Sequence, residues 1–458
     1  MSRTTQSGAA GSPSELPPAR AASDESAGTA PHPHRPTPRS LRWSWQIFAV
    51  TWLAYAGYYV VRQAFSVAKL GILDDPSVNG VLTEHALGAI DAVYLAAYAV
   101  GQFLWGTWAD RFGPRVVVIG GMIGSVAAAV LLGVSSAVLV FGGAMVLMGL
   151  AQSTGWAALC KNVVAFFPLH ERGRVLGLWC SSYAFGGLVA PPFLGWCAYS
   201  LFDDWRVAFF ASAATLSVVL LLFVVFQRNR PEDVGLPPLA GESEPADART
   251  DEEKAARPST LALYREALRD RMVLTLGLAY FLLKPARYAL LLWGPVLVSR
   301  QLPDASHLEA TLIPVAFGVA GLLAPPAVGW LSDRVFGARR MPPCVLALGV
   351  LVVMLALFSP LTATGSIPVM VAVLTVIGFA AYAADALIAG VAAVDFGNSS
   401  GAGTVTGLVN GCGSVGAILG GLLPGFLSGE ALFHGFAAAA LVACLVMLPH
   451  WNRMPRSD

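Results

Sequence analysis

Twelve long stretches of this 458-residue chain carry almost no charge, and that pattern leaves few folds open. They run over 43–70, 86–108, 115–134, 136–160, 172–198, 206–227, 271–298, 309–331, 342–361, 366–390, 402–427 and 431–449. An apolar stretch of about 20 residues, wound as a helix, matches the hydrocarbon core of a bilayer. Composition agrees, since 56% of residues are hydrophobic and 12% charged, against about 25% charged in soluble domains. The sequence predicts an all-α membrane protein with twelve transmembrane helices, its first partner being the lipid bilayer.

The polar remainder divides the chain. Residues 1–41 are rich in Ser, Ala, Pro and Gly and hold no apolar core, so they read as a disordered tail and not as a signal peptide. Residues 228–270 combine Pro with charge runs and read as a linker between two six-helix bundles, 42–227 and 271–450, with a short tail at 451–458. Arg39, Arg42, Arg111, Arg115, Arg172, Arg174, Arg334, Arg339, Arg340, Arg453 and Arg456 fall on one side of the segments. Asp74, Asp75, Glu84, Asp203, Asp204, Asp304 and Glu430 fall on the other. Cations mark the cytoplasmic side, so both termini are expected in the cytoplasm, with the chain in the inner (plasma) membrane of a bacterium.

Several function classes drop out. The net charge is +1 and no basic stripe exists, which argues against nucleic acid. The six cysteines show no CxxC spacing, so neither disulfides nor zinc is expected. His32-Pro-His34 in the tail carries no weight as a metal site. None of the four lysines, Lys69, Lys161, Lys254 and Lys284, ends a glycine-rich loop, which excludes a P-loop pump. No triad, carboxylate dyad or metal cluster suggests an enzyme, and no cofactor is expected.

An internal repeat ties the halves together. Gly106-Thr-Trp-Ala-Asp110-Arg111-Phe-Gly113-Pro-Arg115 follows segment 2, and Gly329-Trp-Leu-Ser-Asp333-Arg334-Val-Phe-Gly337-Ala-Arg339 follows segment 8. Each reads as a tight turn in which the Asp can cap a helix and the Arg can pair with a carboxylate in one conformation only, giving Asp110, Arg111, Asp333 and Arg334 a conformational role. Twelve segments, a six-plus-six division and this signature twice over resemble the major facilitator superfamily, and imply its fold of two pseudo-symmetric six-helix bundles.

The charges inside the segments carry the chemistry. Arg62 interrupts segment 1, where a cation at membrane depth costs about 2.5–3.5 kcal/mol on insertion scales and so marks a functional position. Tyr55, Tyr59, Arg62, Ser66 and Lys69 share one helical face. Segment 7 places Tyr280, Lys284 and Arg287 on one face, with Pro285 between. The repeat makes segments 1 and 7 equivalent, so both guanidiniums can reach one central cavity, where their planar forks suit a phosphate or carboxylate. Lys284 would add a point charge. The structural alternative pairs these arginines with Asp91 in segment 2 or Asp385 in segment 10. Either carboxylate is also a candidate proton carrier, and Asp385 a partner for Lys284. For Lys69, snorkelling to the membrane surface is the expectation. Polar stripes also run through Asp91, Tyr94, Tyr98, Gln102 and Trp105, through Trp179, Ser182 and Tyr183, and through Thr406, Asn410 and Ser414. Helix packing with satisfied hydroxyls explains most such stripes.

The resemblance narrows at Tyr58-Tyr59-Val-Val-Arg62, Gly155-Trp156 with Lys161, Glu171-Arg172-Gly173, Pro231-Glu-Asp-Val-Gly-Leu, and Arg287-Tyr288 before Trp293-Gly-Pro. These motifs are similar to those of the organophosphate:phosphate antiporters, and the Tyr382 and Gly403-Thr404 regions continue the match. The resemblance implies exchange of a sugar or glycerol phosphate for inorganic phosphate, with Arg62 and Arg287 as the paired arginines and Lys284, Tyr59, Gln102 and Tyr183 beside them. Glycerol-phosphate members carry Lys at the positions of Gln63 and Gln102 and His at Tyr183, so the chain departs from them there. Two other readings compete: a proton-coupled symporter of a non-phosphorylated organic anion, titrating at Asp91 or Asp385, and a transporter-like membrane sensor of sugar phosphate. A monomer is the expected state.

Overall fold

An apolar helix in a bilayer must satisfy its backbone internally, so each segment is expected to run unbroken from one surface to the other. In the computed structural model, residues 37–237, 265–337, 339–394, 402–427 and 429–452 are described. The tail through residue 36, the centre of the linker with Lys254, Arg453, Arg456 and the side chain of Asp110 lie outside the described residues. From Pro38 onward the chain forms a single compact unit.

The helices, in chain order, are α1 (Pro38–Asp74), α2 (Glu84–Phe112), α3 (Pro114–Val134), α4 (Val138–Ala165), α5 (Arg174–Leu201), α6 (Arg206–Phe226), α7 (Arg271–Gln301), α8 (His307–Val335), α9 (Met341–Ala356), α10 (Ile367–Val394), α11 (Ala402–Leu422) and α12 (Glu430–Met447). Among the described residues, nine have an 18-residue window apolar enough to cross a membrane. α1 and α2 are also long enough to span a bilayer, and they hold Arg62 and Lys69 (α1) and Asp91 (α2) within their length. α9 is shorter and continues as Phe358–Thr362 after a one-residue break. No strand occurs among the described residues. α1 begins inside the stretch expected as tail, and its 37 residues span about 55 Å at 1.5 Å per residue, well beyond the bilayer core.

Sequence punctuation explains the helix ends. Thr83 caps α2 by accepting from the Ala86 amide at 3.3 Å, and Asp270 caps α7 by accepting from Met272 at 2.7 Å. Ser306 and Glu309 form a reciprocal capping box at α8. The repeated loop turns on a left-handed glycine both times, Gly113 at φ 81° and Gly337 at φ 59°, a conformation that other residues adopt only with strain.

The packing repeats with a shift of six helices. α1 packs on α5 and α6, α2 on α4, and α3 on α4 and α6. Correspondingly, α7 packs on α11 and α12, α8 on α10, and α9 on α10 and α12. The two sets meet where α2 crosses α11, α5 crosses α8, and α1 faces α7. Equivalent helices thus occupy equivalent places, which is the pseudo-symmetry expected from the sequence repeat. Small residues permit the close crossings. A Cβ on Gly416 or Gly420 of α11 would stand 2.3 Å from the Phe281 carbonyl or 2.6 Å from the Pro285 carbonyl of α7.

Candidate functional site

α1, α2, α4, α7 and α11 enclose a cavity of about 290 Å³ between the two sets of helices. Its wall includes Tyr55, Tyr59, Arg62, Tyr98, Gln102, Trp156, Tyr280, Lys284, Tyr288, Asn410 and Ser414. One cation comes from each half: Arg62 from α1 and Lys284 from α7.

Arg62 is held by neutral groups. Its Nε donates to Gln152 Oε1 at 3.1 Å, and Tyr94 donates to the same oxygen at 2.7 Å. The guanidinium lies 4.5 Å from the Tyr59 ring centre and 4.7 Å from that of Tyr98, within the range of cation–π attraction. Among the described residues no carboxylate pairs with Arg62, so its full positive charge faces the cavity.

The second arginine is placed differently. Arg287 is absent from the wall of this cavity. Its NH1 stands 2.7 Å from Asp385 Oδ1, and the same oxygen lies 2.8 Å from Lys284 Nζ. The Arg287 guanidinium also packs 4.1 Å from the Tyr382 ring centre. The alternative of a structural pair between Arg287 and Asp385 therefore holds in this conformation, and so does the suggestion that Asp385 neutralises Lys284. Arg287 Nε is buried with no hydrogen-bond partner, a donor that an incoming anion could satisfy. The cluster as it stands contains two cations and one carboxylate; with Arg62 the net charge is +2.

Asp91 corrects two expectations. It pairs with Lys69 and not with Arg62, and both side chains of that ion pair are 0% exposed. Lys69 consequently does not snorkel to a surface. The ammonium also donates to the Leu292 carbonyl at 3.0 Å and faces the Trp293 ring at 4.3 Å. A cation that finds a carboxylate, a carbonyl and an aromatic face indoors has no reason to reach for water.

The remaining candidates fall in place around this centre. Tyr59 and Gln102 line the cavity. Tyr183 packs against Tyr59 with the rings tilted at 37° and their centres 5.9 Å apart, and it is not on the wall. Arg111 lies exposed beside the Phe112 ring, and Asp333 and Arg334 are exposed at the end of α8. Gln152 went unnoticed in the sequence, although a lone amide in the apolar run from Val138 was a usable signal. Trp156 entered only through its resemblance motif, since aromatic residues are common in membrane helices.

Comparison with known proteins agrees with this architecture. The model of the Major Facilitator Superfamily matches residues 47–421 and again 304–457. The glycerol-3-phosphate transporter of Bacillus subtilis (strain 168) is 26% identical over 90% of this chain and 93% of its own length. A probable hexose phosphate transport protein of Chlamydia trachomatis is also 26% identical, over 91% of this chain and 92% of its own. Among solved structures, a bacterial homolog to the human lysosomal transporter Spinster, in an inward-facing and unoccupied conformation, superposes with a TM-score of 0.69. It is 16% identical, with 89% of this chain and 95% of that one covered, and so speaks to the fold alone. These relatives are transport proteins and not enzymes. This chain belongs to the Major Facilitator Superfamily.

Proposed function

We propose that this protein is a secondary transporter that exchanges a phosphate ester, a sugar phosphate or glycerol phosphate, for inorganic phosphate by alternating access. The observation that carries the reading is the cavity itself, which holds a guanidinium without a counter-ion from one half and a lysine from the other. A phosphate ester is largely dianionic at neutral pH and matches the net charge of +2. One face of the phosphate binds Arg62 and Lys284. Another oxygen takes over from Asp385 at Arg287, whose Nε lacks an acceptor. Tyr59 and Gln102 flank the ester, and Tyr183 supports Tyr59. The relatives transport phosphate esters by name, which supports the same substrate class.

In this reading the bundles 42–227 and 271–450 rock about the cavity, joined by the linker 228–270, and the loops with Asp110, Arg111, Asp333 and Arg334 brace one of the two states. Both termini face the cytoplasm of a bacterial cell, and the monomer is the working unit. The deciding experiment is phosphate efflux from loaded proteoliposomes challenged with a panel of phosphate esters. Ester-dependent efflux is expected, and Arg62→Lys and Arg287→Lys should each abolish it, because lysine keeps the charge but loses the fork. Efflux driven only by a pH gradient, or undiminished in both variants, refutes the reading.

A further inference from the structure

The polar stripe of α1 continues past the cavity toward the end of α1, and there it meets the backbone of α7. Ser66 Oγ donates to the Leu291 carbonyl at 3.4 Å, and Lys69 Nζ donates to the Leu292 carbonyl at 3.0 Å. The sequence explains why α7 has a carbonyl to offer. Pro295 stands four residues beyond Leu291, inside the helix, and has no N–H. The Leu291 carbonyl therefore loses its ordinary helical donor, and a side chain of the facing helix supplies one.

The rest of this end is assembled around that contact. Lys69 and Asp91 form their fully buried ion pair here. Trp293 covers the ammonium with its ring and donates its Nε1 to the Gly421 carbonyl of α11 at 3.1 Å. Gly88 of α2 lies so close to α11 that a Cβ would stand 2.8 Å from the Leu422 carbonyl. Farther out, Arg300 pairs with Glu84, and His307 Nε2 lies 2.7 Å from Asp74. Apart from the Lys69–Asp91 pair and the Trp293–Gly421 hydrogen bond, which each stay within one set of helices, these contacts cross between the two sets.

We propose that Ser66 and Lys69, docked on the carbonyls beside Pro295 and backed by Asp91, are the latch that holds this end of the cavity shut. The proposal rests on the alternating-access reading, in which the α1 and α7 ends must part for the cavity to open on this side. Lys69 and Asp91 belong to the same set of helices, so they travel together, and what breaks is their hold on α7. Water then replaces the Leu292 carbonyl at the ammonium. An apolar residue at position 69 could close the seam but could not re-solvate in this way. An ion pair without a partner across the seam would offer no reason to close. The buried charge thus serves a choice between two states more than static stability.

The test reads accessibility instead of transport. Leu95 lines the cavity from α2, and a Leu95→Cys reporter is labelled by a membrane-impermeant maleimide applied from the α1 C-terminal side of oriented vesicles, above the background of the six native cysteines. Pro295→Ala restores a donor to the Leu291 carbonyl while leaving every latch side chain in place. Lys69→Met with Asp91→Asn removes both charges together, so that no buried charge is orphaned. Each change is expected to speed labelling about tenfold. Unchanged labelling in Pro295→Ala and in the double variant overturns the latch, and if the double variant fails to fold, Pro295→Ala decides alone. Phosphate exchange in the same vesicles separates the two readings. Faster labelling without exchange in the parent protein refutes the transport function and keeps the latch. Normal exchange with unchanged labelling refutes the latch only.

Discussion

Replacing Asp385 by asparagine keeps the volume of the side chain and removes the one negative charge that Lys284 and Arg287 share. Both contacts are short, 2.8 and 2.7 Å, and the three side chains are 10%, 15% and 16% exposed. Taking away one partner of a buried ion pair costs about 3–5 kcal/mol, mostly because the other charge is left without compensation. Their partial exposure puts the expected loss near the lower figure. A bound phosphate returns negative charge to the same two cations, so the substituted protein should recover part of the loss on binding. Recovery of about 1.4 kcal/mol corresponds to tenfold tighter phosphate binding. Thermal unfolding of the purified protein with and without inorganic phosphate reads both quantities. Asp385→Asn should melt below the parent when empty and gain more from phosphate. If it melts with the parent, and phosphate raises both equally, then Asp385 is not the counter-ion that substrate displaces.

Two further outcomes follow from the same geometry. Gln152→Leu strips Arg62 Nε and the Tyr94 hydroxyl of their shared acceptor, an unsatisfied arrangement that costs about 1–3 kcal/mol. Phosphate affinity measured by calorimetry should fall about tenfold, and an unchanged value would mean that the tyrosine rings alone orient the guanidinium. Asp75, just beyond α1, accepts from the Ser77 hydroxyl at 2.6 Å, from Trp205 Nε1 at 3.0 Å and from the Ser77 amide at 2.9 Å. These bonds, with Arg206 nearby, hold its pKa down at about 2. A depressed carboxylate stabilises the fold above its unfolded pKa of about 4 and loses that contribution as pH falls toward the folded value. The Tm difference between the parent and Asp75→Asn should therefore shrink as the medium is acidified from about pH 5 toward 2, and a constant difference would show that the charge is irrelevant.

What could be read without coordinates was whatever depends on local chemistry. Apolar length dictates spanning helices, because a bilayer offers no partner to an open backbone. The repeated Asp110-Arg111 and Asp333-Arg334 loops set the halves in correspondence, and Arg62 and Lys284 announced themselves as charges where charge is expensive. The choice of partner was not readable. Asp91 had Arg62 and Lys69 on the facing stripe of α1, and Asp385 had both cations of α7 within range. Only the packed helices decide which carboxylate meets which cation, because a shift of two turns along α1 separates Arg62 from Lys69, and pairing energies fall away over that distance. The same holds for Arg287, which shares a face with Lys284 in sequence yet turns to α10 while Lys284 also borders the cavity. Local pattern determines which residues must be accounted for. The crossing of distant helices determines where each finds its counterpart.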